Sequence, residues 1–123
     1  MLLGRHIAVV GSRQFKNYAQ LSRVLDEHIK DEDEIVSGGA IGTDSMAQRY
    51  AKERGHAIHI YYPRWEHGAS SAFQRNKRIV ENSDVVLAFY SKGRFRGGGT
   101  SNTANWAEQL GKELHEFEEE WME

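Results

Sequence analysis

Short apolar runs recur along the chain with long amphipathic stretches between them, and this alternation limits the fold more than any other feature. The runs are Ile7–Val10, Ile35–Val36, Ala57–Tyr62 and Val85–Tyr90, with a weaker one at Leu114–Phe117. The first and fourth are apolar throughout, the pattern of strands covered on both faces. The last mixes in His115 and Glu116, which suits an edge strand. The intervening segments, of about 20 residues, exceed the dozen or so that a parallel crossover needs, and each carries helical spacing. Leu21, Val24, Leu25, His28 and Ile29 share a face of the first; Met46, Ala47, Tyr50 and Ala51 share a face of the second. Ala72, Phe73, Ile79 and Val80 make the third face; Thr103, Trp106, Ala107 and Leu110 make the fourth. Gly55 and Gly111 are placed to end the second and fourth helices. Right-handed crossovers then give an α/β fold, a Rossmann-like three-layer sandwich on a mostly parallel five-stranded sheet of order 3-2-1-4-5.

At 123 residues the chain suits a single domain spanning 1–123. Hydrophobic residues at 39% and charged residues at 28% lie in the globular range. The absence of cysteine excludes disulfides, thiolate metal sites and cysteine nucleophiles. No apolar run approaches the ~20 residues of a membrane span, so a cytoplasmic protein with no membrane partner is the expectation. The net charge of −2 is unevenly spread: residues 64–96 hold seven basic side chains against three acidic ones. That local excess suits a phosphate and is too modest to announce DNA binding. The tail at about 118–123 carries four glutamates and reads as a solvated, frayed end.

In an open parallel sheet, ligands bind beyond the carboxyl ends of the strands, where strand order reverses. Three loops leave the sheet there. The first strand exits into Gly11, Ser12 and Arg13; the second into Ser37, Gly38, Gly39, Ala40, Ile41, Gly42, Thr43 and Asp44; the fourth into residues 91–101, with Gly97, Gly98, Gly99, Thr100 and Ser101 at its end. Glycine lets backbone approach a ligand closely, and a helix starting near Thr43 or Thr100 offers unpaired N–H donors and a positive dipole end. Both features favour an anion. Neither loop is a P-loop or a dinucleotide fingerprint, because the lysine and the GxGxxG spacing are missing. Asn76 falls between Phe73 and Ile79 on an inward helix face and must find a partner in backbone or ligand. Arg75, beside it, suits bidentate phosphate binding. The six histidines show no ligand spacing, and His56 and His59 point to opposite faces of a strand, so no metal site is expected. The tryptophans read as core or interface, with Tyr18, Tyr50, Trp65 and Trp106 as candidate interface aromatics.

The segments GSRQF, SGGAIGTDSMAQRYA, QRNKRIVENSDVVLAFY and GGGTSNTANWA, in that order, resemble the SLOG superfamily. More narrowly, the chain resembles its small single-domain branch of bacteria and their phages. The superfamily includes cytokinin-activating phosphoribohydrolases, molybdenum-cofactor carriers and the DNA-processing protein of natural transformation. The resemblance implies a nucleotide-derived ligand at the strand termini and no further cofactor. It also implies self-assembly as a homodimer or larger homo-oligomer. The phosphoribohydrolases use an arginine whose place Arg75 matches, and a PGGxGTxxE loop whose phosphate half resembles Gly97–Thr100. The catalytic glutamate of that loop falls at Thr103 here. Asp44 is left as the only rim carboxylate, and Glu108 lies two helical turns away. Binding, sensing or carrying a nucleotide is therefore expected ahead of catalysis. The alternatives are a nucleoside-monophosphate N-glycosidase using Asp44 and Arg75, and single-stranded DNA binding through Arg94, Phe95 and Arg96. Nucleic acid is the less expected partner because the chain is acidic overall.

Overall fold

The computed structural model describes residues 4–68 and 70–121. The chain runs β1 (His6–Gly11), α1 (Tyr18–His28), β2 (Glu34–Gly38), α2 (Thr43–Arg54), β3 (Ile58–Tyr61) and a 3-10 turn at Trp65–His67. It continues through α3 (Ser71–Glu81), β4 (Val85–Tyr90), α4 (Gly98–Gln109) and β5 (Glu113–Glu118). The sheet order is β3-β2-β1-β4-β5, and every neighbouring pair is parallel, so the sheet is wholly rather than mostly parallel.

Alternation along the strands builds two cores. Ile7, Val9, Ile35, Leu87 and Phe89 pack with Leu21 and Leu25 of α1 and with Ala47 and Tyr50 of α2. Ala8, Val10, Val36, Val86 and Ala88 pack on the other face with Ile79 and Val80 of α3 and Ala107 of α4. Covering both faces explains why β1 and β4 carry no polar side chain between Ile7 and Val10 or between Val85 and Phe89. Gly55 closes α2 in the left-handed conformation, at φ 76°, where a β-carbon would be strained.

Several side chains depart from the periodic reading. Phe73, in the first turn of α3, is 52% exposed although the spacing puts it with Ile79 and Val80, which are buried. Leu110 lies past the end of α4 and is exposed. Tyr50 is core, and its hydroxyl donates to Asp26 at 2.7 Å. Trp65 and Trp121 are exposed, whereas Trp106 packs against the second core.

The acidic tail is docked as far as Glu120. Glu119 Oε2 accepts from the backbone N–H groups of Lys16 (2.7 Å) and Asn17 (3.0 Å), ahead of α1. Gln20, buried in α1, donates through Nε2 to the Glu118 carbonyl and accepts from the Glu120 N–H. Glu120 also pairs with Arg23 at 3.0 Å. Free N–H groups at the start of a helix attract carboxylates, which is how a run of glutamates acquires a fixed place. Gln20→Leu leaves the Glu118 carbonyl and the Glu120 N–H without their partner. It should lower unfolding free energy by about 1–3 kcal/mol in urea denaturation; an unchanged midpoint would mean the tail is not docked.

Candidate functional site

Parallel strands bring the loops after β1, β2 and β4 to one edge, where they and α3 enclose a cavity of about 360 Å³. Twelve of the residues singled out from the sequence line it: Gly11, Ser12, Arg13, Gly38, Ala40, Asp44, Arg75, Asn76, Gly97, Gly98, Gly99 and Thr100. Val10, Gln14, Ala72, Phe73, Ile79 and Thr103 line it too and were not foreseen. Helical spacing sets Phe73 on the face of Ile79 and Val80, but it lies half-exposed at the cavity rim. Thr103 was visible as the place of a missing glutamate, and its buried side chain does reach the cavity.

Gly39, Gly42, Thr43 and Ser101 stand outside the lining, and each has a structural occupation. Gly42 adopts φ 77° against the Arg13 backbone, leaving no room for a β-carbon. Gly39 lies under the Tyr62 ring. Thr43 begins α2 as foreseen, but its Oγ1 donates to the Ser12 carbonyl at 3.0 Å, tying the first loop to the second. Ser101 Oγ donates to the Gly98 carbonyl at 2.7 Å. The loop after β2 thus contributes Gly38 and Ala40 to the lining, and the first turn of α2 contributes the Asp44 carboxylate.

The anion-facing backbone belongs to α4. This helix begins at Gly98, two residues earlier than Thr100. Gly97, its N-cap, has no side chain, and no side chain caps the first turn, which also contains no acid. Gly98, Gly99 and Thr100 line the cavity at that uncapped end, where N–H donors and the positive end of the helix dipole are available.

Asp44 and Arg75 flank Gly38: a β-carbon there would stand 2.8 Å from both Asp44 Oδ2 and Arg75 Nη1. Asp44 is 6% exposed. Burial pushes its carboxyl above the ordinary value, opposed by the Ala40 N–H bond, the Ser37 hydroxyl and the charges of Arg75 and Arg13. Ser37 helps the ionised form little, because it has one hydroxyl proton and the Val9 carbonyl, at 2.6 Å, is nearer than Asp44 Oδ1 at 3.1 Å. Burial also lowers the guanidinium of Arg75, with Asp44 opposing the shift. Arg75 is held by the Tyr61 carbonyl on Nη1 and by Asn76 Oδ1 on Nε, each at 3.0 Å. Asn76 is thus satisfied by side chains, donating in turn to Asn102 at 3.2 Å, and acts as a positioning residue for Arg75. Nη2 of Arg75 makes no hydrogen bond among the described residues.

The third loop carries Arg94, Phe95 and Arg96, the candidate nucleic-acid residues. Arg96 adopts φ 63°, and its guanidinium pairs with Glu108 and Glu116, both at 2.6 Å. Phe95 tilts onto Tyr90 with ring centroids 5.1 Å apart. Carboxylates from α4 and β5 therefore occupy the Arg96 guanidinium, while Phe95 beside it stays 53% exposed.

A family model described as YAcAr, the YspA, cpYpsA-related SLOG family, matches residues 5–68. The chain belongs to that family. The match covers β1 through β3, with Gly11 at the end of β1 and Asp44 in the first turn of α2. Among solved structures, DNA processing protein A from Helicobacter pylori, described for its unique single-stranded DNA binding mode, matches with a TM-score of 0.66 at 23% identity. The alignment covers 93% of this SLOG chain and 65% of that one, so the chain spans about two-thirds of the neighbour's length and shares its fold. No curated protein matches the sequence.

The raised carboxyl of Asp44 has a signed consequence. The native protein holds the Asp44 proton to higher pH than the unfolded chain does, so ionising Asp44 costs native stability. That cost disappears as pH falls through the interval between the raised value and the ordinary 3.8. The unfolding free energy of wild type minus that of Asp44→Asn should therefore increase from about pH 7 to about pH 4, as read by urea denaturation at each pH. A difference independent of pH would contradict a raised carboxyl.

Proposed function

We propose that the rim cavity binds a nucleotide or nucleotide-derived small molecule, with its phosphate on the uncapped amino end of α4. The observation that carries this reading is the meeting of that helix end with Arg13 and Arg75 in one cavity. Backbone N–H groups and a guanidinium fork are the donors that phosphate oxygens accept from. The cavity, at about 360 Å³, is within the size range of small-molecule sites. Phe73, half-exposed at the rim, supplies a stacking face for a base, and the Asp44 carboxylate can accept from ribose hydroxyls. Asp44 is the only acidic residue among the lining side chains, and Thr103 places a hydroxyl where the related hydrolases carry glutamate. Binding without cleavage is the activity this set supports; sensing, carrying or sequestering a nucleotide are its uses.

AMP, cyclic nucleotides, ADP-ribose and NAD should be screened by thermal shift. A ligand at about 100 times its Kd adds about 2.7 kcal/mol of stability. Arg75→Ala should abolish the shift, and Phe73→Ala should cost about 1–3 kcal/mol of binding. Flat traces for every ligand, with Arg75→Ala indistinguishable from wild type, would defeat the reading. Release of free base from AMP that is lost in Asp44→Asn would make the protein a glycosidase instead.

A second reading, single-stranded nucleic acid across the same rim, is favoured by an aromatic and basic surface beside the cavity. Tyr62, Trp65 and Phe73 are 63%, 60% and 52% exposed. Arg64, Lys77 and Arg78 line an adjoining groove of about 510 Å³ that shares Phe73 with the cavity. The neighbour of like fold is described as binding single-stranded DNA, and that property would come to this chain through these residues rather than through Arg94–Arg96. Fluorescence anisotropy with an oligo-dT strand tests it. Affinity should fall with a log–log salt slope of about −0.7 per neutralised phosphate and weaken in an Arg64→Ala/Lys77→Ala variant. No binding at low salt would remove this reading and leave the first intact.

A further inference from the structure

The opposite edge of the sheet holds a second constellation. His6 on β1, Glu34 on β2 and His59 on β3 project from one face of three adjacent strands. His6 and Glu34 are register partners, and His59 is the partner of Val36, two residues along β2 from Glu34. Positions two apart on a strand share a face, so the pairing itself brings the three side chains together at the amino ends of the strands. One ligand atom from each lies within 4.8 Å of the other two. The Glu34 carboxylate reaches both imidazoles: Oε1 is 2.6 Å from His59 Nε2 and Oε2 is 3.8 Å from His6 Nε2. A Zn²⁺ ion bonded at about 2.0–2.2 Å to each in tetrahedral array needs the ligand atoms about 3.4 Å apart, a spacing inside the 4.8 Å within which all three already fall. All three side chains are 39–48% exposed, so small rotations cost little and ions have access.

The ring of His6 is already oriented. Its Nδ1 lies 3.1 Å from the Asn82 carbonyl, and a carbonyl can only accept, so Nδ1 carries the proton and Nε2 presents its lone pair to the cluster. Donation of the far ring nitrogen to a backbone carbonyl fixes the tautomer and ring orientation of metal-ligating histidines. The backbone N–H of His6 donates to Asp84 at 2.8 Å, anchoring the residue.

From this geometry we propose that His6, Glu34 and His59 form a binding site for a divalent transition metal of the Zn²⁺ class, with water in the remaining position. Imidazole and carboxylate are ligands that Zn²⁺ accepts, and two histidines with one glutamate plus water is an established zinc donor set. The metal displaces the proton that His59 shares with Glu34, and the site pins β3, an edge strand, to β2 and β1. Spacing within any one segment cannot reveal it, because each strand supplies a single ligand.

Isothermal titration of the full chain with ZnCl₂ tests the site. One ion should bind per chain, the melting temperature should rise with Zn²⁺, and EDTA should reverse the rise. His59→Asn and Glu34→Gln should each weaken binding at least tenfold; both lie at exposed positions, and their metal-free melting temperatures check folding. A second imidazole pair, His28 and His115 with ring centroids 4.8 Å apart, provides the control. A His28→Asn/His115→Asn variant should bind Zn²⁺ as wild type does. No binding at millimolar Zn²⁺, or affinity unchanged by His59→Asn, would overturn the proposal.

Discussion

Parallel pairing of β1 with both of its neighbours is the constraint on which the molecule depends. Ile7 is in register with Ile35 of β2 and with Val85 of β4, so the three strands end together at one edge. The chain passes outward from β1 to β2 and β3, then crosses back to β4 on the far side, which opens a crevice between the loops after β1 and β4. Gly11 makes the closure possible. A β-carbon there would strike the Phe89 carbonyl and the Thr43 hydroxyl, and the Ser12 N–H reaches that carbonyl at 2.9 Å. The same pairing that aligns the carboxyl ends also aligns the amino ends, which is why His6, Glu34 and His59 meet although 53 residues separate the first from the last.

At the cavity, two charges are held short of full neutralisation. Asp44 and Arg75 approach the same point over Gly38 without making an ion pair within hydrogen-bonding reach. Each is shifted toward its neutral form by burial and away from it by the other. A buried pair with complete geometry would consume the donors and acceptors that a ligand needs. Here Arg75 is braced on one side by Tyr61 and Asn76, and Asp44 by Ala40, so both are rigid while retaining capacity for an incoming polar group. Such preorganisation removes ordering cost from binding.

The fold was legible because its signals are local: apolar runs of strand length, helical spacing and glycine at helix ends report on each element separately. The edge at which the site lies followed from topology. The fine division of labour among its residues did not, because that depends on atoms brought in from elsewhere. Gly42 and Thr43 read as anion ligands from spacing, yet Arg13 and Ser12 of the first loop claim them. Phe73 has the spacing of a core residue, but in the first turn of α3 it faces the cavity rim. Arg96 reads as a free cation until β5 and α4 bring Glu116 and Glu108 against it. The tail reads as solvated because composition carries no record of the unpaired N–H groups before α1 that receive Glu119.

The position of Thr103 bears on whether such a site holds its ligand or breaks it. Glycosidic cleavage develops positive charge on the ribose, and a carboxylate at the α4 end of the cavity would stabilise it. A threonine hydroxyl carries no charge and cannot. The remaining carboxylate, Asp44, lies in the first turn of α2 and is nearly buried, and that burial works against its ionised form. Burial thus opposes the fixed negative charge that an oxocarbenium ion would need beside it. On the reading proposed above, Gly97–Thr100 would hold the phosphate, and α4 contributes no carboxylate to the cavity lining that could act on the sugar. Such a site would contact ground state and transition state nearly alike, and uniform binding of that kind gives affinity without rate.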